Sequence, residues 1–272
     1  MRQKDCSMKI NVKARNWSSF VLLFLSVFVL SSFVPPNSGI PTQYQIKTIV
    51  IDAVHGGKDS GAAGRRSLEK NVALEVAMKL GRQIEKDIPG TKIIYTRTSD
   101  EFVELYKRIR IANANKADLF ISIHCNSASY TAKGTETLVS GSHRLGQQDV
   151  AVRENASLLL EENYKANYQG FDPKDPESAI IFSLMKNRFR EKSIKLAQMM
   201  EDEYVKVGRN SRGIWEKGLA VLSEEGMPEV LTEIGFISNP DEERYITSDE
   251  GQQEIVNNIV SAIKKYKQNI ER

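Results

Sequence analysis

Short apolar runs, separated by stretches of helical periodicity, constrain this chain more than any other feature. The first, Ile46 to Ile51, reads Ile-Lys-Thr-Ile-Val-Ile and breaks at Asp52-Ala53-Val54-His55-Gly56-Gly57. A run of that length handing over to glycine predicts a buried strand. From Glu69 to Lys86 the apolar residues Val72, Leu74, Val76, Ala77, Leu80 and Ile84 keep mostly helical spacing, with Ser67 as a start signal and Ile88-Pro89-Gly90 as the stop. Thr91 to Thr96 predicts a second strand, Glu104 to Asn115 a second helix, and Asp118-Leu-Phe-Ile-Ser-Ile-His124 a third strand. This βαβαβ order favours a parallel sheet with right-handed crossovers. Beyond it, Gly134 to Ser140 and Leu219 to Leu222 read as strands, while Ile194 to Val207 and Glu250 to Tyr266 read as helices. The expected fold is a single α/β domain: a mixed, mostly parallel twisted sheet flanked by helices, with a helical and loop insertion near the active site.

Four polar residues sit where such a fold collects its ligands. His55 and His124 each end an apolar run, Glu69 opens a helix, and Glu233 lies inside Pro228-Glu-Val-Leu-Thr-Glu-Ile-Gly-Phe-Ile. A carboxylate in an apolar stretch is costly unless something compensates it. In open α/β sheets, groups distant in sequence converge beyond the carboxyl ends of the strands, so a shared site is one reading. Each residue also has a plainer one. A histidine at a strand end can be a hydrogen-bonded structural residue, and an acid at a helix start is favoured by the helix dipole. Glu233 can pair with Arg97 or Arg108, and Glu136 can satisfy backbone groups. Cys125, next to His124, points to the opposite face of a strand and reads as a buried thiol.

The N-terminus differs in kind. The first 38 residues carry five of the 38 basic side chains, one of the 35 acidic ones and the apolar run Phe20 to Val34, followed by Pro35-Pro36. That is the layout of a secretory signal, with an uncleaved anchor as the alternative, since a spanning helix needs roughly 20 apolar residues. Without this segment the net charge is close to zero, so the apparent basicity belongs to targeting. No basic patch with interleaved aromatics argues for nucleic acid. Cys125 is the one cysteine beyond residue 38, so an internal disulfide is excluded from that part of the chain.

Five motifs occur in order: Asp52-Ala-Val-His55-Gly-Gly-Lys-Asp-Ser-Gly-Ala62, Glu69-Lys-Asn-Val-Ala-Leu-Glu, Thr96-Arg97-Thr-Ser-Asp, Lys116-Ala-Asp-Leu-Phe-Ile-Ser-Ile-His124-Cys-Asn126, and Thr232-Glu233-Ile-Gly-Phe-Ile-Ser-Asn-Pro240. Together they resemble the zinc-dependent N-acetylmuramoyl-L-alanine amidases of the amidase 3 type, cell-wall hydrolases, over about residues 46 to 267. Ala53-Val54 departs from the usual pattern at a point where neither side chain would touch metal. The resemblance implies that His55, Glu69 and His124 bind one Zn²⁺ and that Glu233 is the catalytic carboxylate. It also implies peptidoglycan as substrate, cut at the amide between muramic acid and L-alanine. Zinc hydrolases use three N or O ligands and keep one position open. An exported enzyme of the periplasm or cell envelope follows, touching membrane only through an uncleaved N-terminus.

The stretch 141–190 breaks the strand–helix rhythm, with a helical pattern near Val150 to Tyr164 and a turn-rich loop from Tyr168 to Glu177. A segment this long inside a domain is commonly a lid or regulatory element. Some cell-division amidases of the resembled family carry an extra helix whose glutamate occupies the open zinc position until a LytM-domain activator displaces it. Glu154, Glu161 and Glu162 are the candidates here, against the alternative of a solvated acidic face. Two other functions stay open: a zinc peptidase cutting within the peptidoglycan stem, and a non-catalytic wall-binding protein.

Overall fold

The computed structural model describes residues 44–141, 149–168, 189–222 and 226–271. The signal or anchor segment, Cys6, His143 and residues 169–188 lie outside the described residues.

Six strands form one sheet: β1 (Thr48–Ala53), β2 (Lys92–Tyr95), β3 (Leu119–Asn126), β4 (Thr135–Ser140), β5 (Ser211–Lys217) and β6 (Glu229–Phe236), in the order β2-β1-β3-β6-β4-β5. The pairs β1–β2, β1–β3, β3–β6 and β4–β5 are parallel, and β4 runs antiparallel to β6. The expected mixed, mostly parallel α/β sheet is what forms. Every residue of β3 and β6 is buried, as strands covered by helices on both faces must be.

Strand alternation divides the interior. Ile121, Ile123 and Cys125 of β3 join one apolar cluster with α1 (Glu69–Asp87), α5 (Arg190–Lys206) and α7 (Asp249–Ile270). On the other face Phe120 and Leu231 pack with α2 (Leu105–Ala114) and with Leu158 from the inserted segment. His124 shares the second face with Ser122 and Asn126, which fixes the side of the sheet that carries the site. Cys125 is a buried free thiol on the opposite face.

Two readings change. Leu219 to Leu222 is not a strand: Ala220–Leu222 forms a 3₁₀ turn whose side chains are buried against α2, so an apolar run too short to pair packs as a turn. The pattern from Val150 to Tyr164 is not one helix. It breaks into α3 (Asp149–Asn155), a 3₁₀ stretch Ala156–Leu160 and, after Asn163 at φ 56°, the short α4 (Tyr164–Asn167). The edge strand β5 and the helix α6 (Pro240–Thr247) escape the periodicity reading altogether. Helix α6 nevertheless has a local signal: Asn239 accepts from Asp241 N–H and Glu242 N–H with proline in the first turn, a standard start. Among the described residues no helix is long and apolar enough to cross a membrane.

Candidate metal centre

The chain leaving β1 turns sharply at His55, whose φ of 59° lies in the left-handed region, uncommon for a residue with a side chain. Two buried arginines hold that turn by binding its carbonyls. Arg97 donates to Ala53 O at 2.7 Å and to Val54 O at 2.8 Å. Arg108 donates to Ala53 O and to His55 O at 2.7 Å, and its Nη1 pairs with Asp52 at 2.6 Å. Thr96 and Ser122 also donate to Asp52, each at 2.6 Å. Burial works against charge on Asp52, but Arg108 and these hydroxyls outweigh it and hold the carboxyl below its ordinary range. Arg108→Met leaves that carboxylate buried without its cation and is expected to cost about 3 to 5 kcal/mol. Denaturant unfolding checks this; a cost no larger than that of a surface substitution, about 0.5 kcal/mol, would refute it.

Beyond the turn, His55, Glu69, His124 and Glu154 offer one ligand atom each within 4.8 Å of one another, all four buried. His55 Nε2 is 3.1 Å from Glu69 Oε2 and 3.8 Å from Glu154 Oε2. His124 Nδ1 is 2.8 Å from Glu154 Oε2 and 3.4 Å from Glu69 Oε1. The far nitrogens are both taken: His55 Nδ1 meets Asp59 at 2.8 Å, and His124 Nε2 meets Ser122 Oγ at 3.0 Å. Such outer contacts fix which nitrogen faces a metal. Glu69 is anchored by Cys125 N–H at 2.9 Å and Ala62 N–H at 2.8 Å.

The donors fit a cation. His124 Nδ1 and Glu154 Oε2 form a 2.8 Å ion pair, yet both are buried without a well-formed hydrogen bond, and a cation between the donors would satisfy both. Electrostatics agree. Burial pushes both imidazoles down, yet the facing carboxylates outweigh it, raising His55 well above its ordinary value and His124 to about 9. Burial likewise opposes charge on Glu69, and the imidazoles overcome it. A cluster that draws protons onto its histidines is one short of positive charge, which a divalent ion with N and O preferences supplies.

Register brings Glu233 to the same place. It stands opposite His124 on β3 and opposite Glu136 on β4, so three adjacent strands present a row of functional groups. Glu233 is fully buried, and its Oε2 has no hydrogen-bond partner. Burial raises this carboxyl well above the carboxylate range, with Arg153 opposing. Its ion pair is with Arg153 Nη2 at 3.2 Å, not with Arg97 or Arg108. Glu136 accepts from Asn126 Nδ2 and lies 3.5 Å from Arg212.

The inserted segment covers this centre. Consecutive residues of α3 do two things: Glu154 enters the donor cluster and Arg153 reaches Glu233. Asn155 ties the helix to Gly218 O and Ala220 N–H, each at 2.8 Å, and Ser157 donates to Asp59 at 2.6 Å. Of the three glutamates considered for blocking, Glu154 alone meets the histidines. Glu161 instead accepts from Leu105 N–H at 2.7 Å and from Tyr168, capping the start of α2, and Glu162 is exposed.

Sequence reasoning missed Asp59, Ser122 and the pairing of Arg153 with Glu233. Two had a readable signal: Asp59 lies in the glycine-rich loop four residues after His55, and Ser122 precedes His124 by two, hence shares its strand face. Arg153 had none, because its partner is 80 residues away.

An open α/β sheet with buried imidazole and carboxylate donors beyond its central strands, and a further buried carboxylate beside them, defines a protein built around a site that can hold one metal ion. The chain belongs to the amidase 3 family of N-acetylmuramoyl-L-alanine amidases, whose profile matches residues 49–265, and it is a cell-wall hydrolase of peptidoglycan amide bonds. The amidase AmiC of Escherichia coli O6:H1 is 31% identical over 224 residues, 80% of this chain and 52% of AmiC, so the chain spans about half of that relative. A putative N-acetylmuramoyl-L-alanine amidase of Buchnera aphidicola is 31% identical over 80% of this chain and 94% of its own. Among solved structures, the catalytic domain of CwlV, an N-acetylmuramoyl-L-alanine amidase of Bacillus (Paenibacillus) polymyxa, superposes with a TM-score of 0.60 at 29% identity, covering 81% of this chain and 97% of that one.

Proposed function

We propose that the enzyme cuts the amide joining the lactyl group of muramic acid to L-alanine, with zinc held by His55, Glu69 and His124 and with Glu233 as the catalytic carboxylate. The observation that carries this reading is the convergence of the buried donors His55, Glu69, His124 and Glu154, with His124 Nδ1 lacking a hydrogen-bond partner, beside an equally buried Glu233. When bound there, zinc polarises the scissile carbonyl and lowers the pKa of water to about 7. Asp59 and Ser122 hold the imidazoles with one nitrogen each toward the metal. Glu233 Oε2 takes a proton from the attacking water and returns it to the leaving nitrogen, a task for a positioned carboxyl group. Once proton and water are transferred, a free glycan lactyl carboxylate and a stem peptide with a new amino terminus remain.

Glu154 occupies the donor set in the state described, and Arg153 neutralises Glu233. This state is therefore the resting enzyme, closed by α3, and a LytM-domain protein that withdraws α3 is the matching activator. The N-terminal 38 residues export the enzyme to the periplasm or cell envelope, where it acts in wall remodelling and daughter-cell separation.

The direct test is to digest purified peptidoglycan with the zinc-loaded protein lacking residues 1–38 and weigh the soluble products. Stem peptides beginning with alanine, released at a low basal rate while α3 closes the centre, lost on chelation and restored by zinc, are expected, with chelation also lowering the melting temperature because a ligand of the native state is removed; silence despite bound zinc points to a closed α3 that needs its partner. Fragments cut within the stem would move the assignment to a peptidase. Stems released undiminished in the presence of chelator would remove the metal from the reaction.

A further inference from the structure

Ser67 stands where a helix start signal is expected, yet its hydroxyl does not cap α1. The residue flanking the first turn is Leu68, which offers no side-chain hydrogen bond, and Ser67 Oγ donates to Glu243 Oε1 at 2.8 Å. The same oxygen accepts from Arg66 N–H at 2.8 Å and from Ser67 N–H at 3.0 Å. Glu243 is a buried residue of α6, 177 positions beyond Arg66. The approach is close enough to demand glycine, because a Cβ at Gly64 would come within 2.2 Å of Glu243 Oε1. Burial works against charge on Glu243, but the donors outweigh it and hold its carboxyl below the ordinary range.

The loop held in this way carries Glu69. Residues 60–68 fold back on themselves, with Gly64 N–H on Ser67 O at 2.9 Å and Ala63 bridged to Leu68. The loop then meets the free N–H groups of the first turn of α1: Glu69 N–H donates to Ala62 O at 2.9 Å and Lys70 N–H to Ser60 O at 3.2 Å. Glu69 Oε2 in turn accepts from Ala62 N–H at 2.8 Å. A Cβ at Gly61 would come within 2.7 Å of both Glu69 Oε2 and His55 Nε2, so the loop lies directly against two of the donors. At the other end of the brace, Glu242 accepts from Phe236 N–H at 3.2 Å and Gly134 N–H at 3.1 Å and pairs with Arg209 at 2.9 Å. Two successive carboxylates of α6 thus join the strand that bears Glu233 to the loop that bears Glu69.

We propose that Glu243 is a positioning residue of the metal centre: by fixing the 60–68 loop it sets where Glu69 stands, and with it the affinity for the metal ion. The inference deepens the reading of Glu69 as a zinc donor and rests on it. The side-chain hydrogen bonds of Glu243 go to the loop and not to a donor, so its effect passes through the loop. A loop free to spread must be ordered again when the ion binds, a cost that shows as weaker binding.

The test is competition of the zinc-loaded full chain against a chromophoric chelator, which reads metal affinity whether or not the enzyme turns over. Glu243→Ala is expected to weaken zinc binding by about 10-fold or more, the scale seen for contacts behind a metal ligand. Glu243→Gln, whose amide oxygen still accepts from the loop, recovers most of that loss. Ser67→Ala removes one of the three hydrogen bonds and leaves Glu243 in place; it gives a smaller loss in the same direction, and serves if Glu243→Ala does not fold. Ser248→Ala is the control, since it removes the cap of α7 away from the loop: it lowers the melting temperature and leaves zinc affinity unchanged. A loss shared by Ser248→Ala would reduce the effect to general stability and overturn the proposal. Affinity lost in Glu69→Ala but kept in the folded Glu243 and Ser67 variants would overturn the positioning role and leave the donor reading intact, whereas affinity kept in all of them would overturn both.

Discussion

Glu233→Gln is expected to lower kcat for stem release by about 10²- to 10⁴-fold, the usual contribution of general acid–base catalysis, with little change in zinc content. Glutamine keeps the size of the side chain and can still accept from Arg153 through its amide oxygen, so the β6 register and the α3 contact persist. What it cannot do is hold a transferable proton at the position of Oε2, which is buried and lacks a hydrogen-bond partner. The comparison that isolates this role is His124→Ala, which removes a donor and lowers both metal content and rate. Stoichiometry by elemental analysis, beside rates on peptidoglycan, separates the two. A Glu233→Gln enzyme with full zinc and an undiminished kcat would assign the proton to another group.

Glu154→Ala is expected to raise the basal rate of the isolated enzyme by about 10- to 100-fold. The reasoning is a population shift: α3 is held over the centre by Glu154 in the donor set, by Arg153 on Glu233, and by the Asn155 and Ser157 anchors. Charge-assisted contacts contribute about 1.5 to 3 kcal/mol each, and removing one shifts the closed state by the corresponding factor. Asn155→Ala removes the ties to Gly218 O and Ala220 N–H without touching the donor cluster, so a smaller rise in the same direction is expected. A folded, zinc-loaded Glu154→Ala enzyme with the wild-type basal rate would show that α3 does not limit the reaction.

The extent to which this site was readable follows from how each residue is placed. His55 and His124 are legible because both end apolar runs, and a strand end is where a parallel sheet presents its ligands. Glu233 is legible because a carboxylate within an apolar run needs a reason. Glu69 was ambiguous: its position at a helix start is explained equally by the dipole, and only its approach to His55 and His124 gives it a place among the donors. Glu154 could not be told from Glu161 or Glu162, since the breaks at Asn155 and Asn163 rotate these residues away from any single helical face. Edge strand β5, with Arg-Gly-Ile-Trp-Glu-Lys, lacks the apolar continuity of the covered strands and so escaped notice.

The sequence by itself determined the α/β class, the central strands, the family and the residues that reach the carboxyl edge of the sheet, because these depend on local periodicity and on motifs of contiguous residues. Only the tertiary structure decided which groups meet. The row His124, Glu233, Glu136 depends on strand register between segments about 100 residues apart. The entry of Glu154 depends on how an insertion packs over the sheet. Periodicity reports which face of an element is apolar; it carries no information about the partner across a long loop, where packing and paired charge set the outcome.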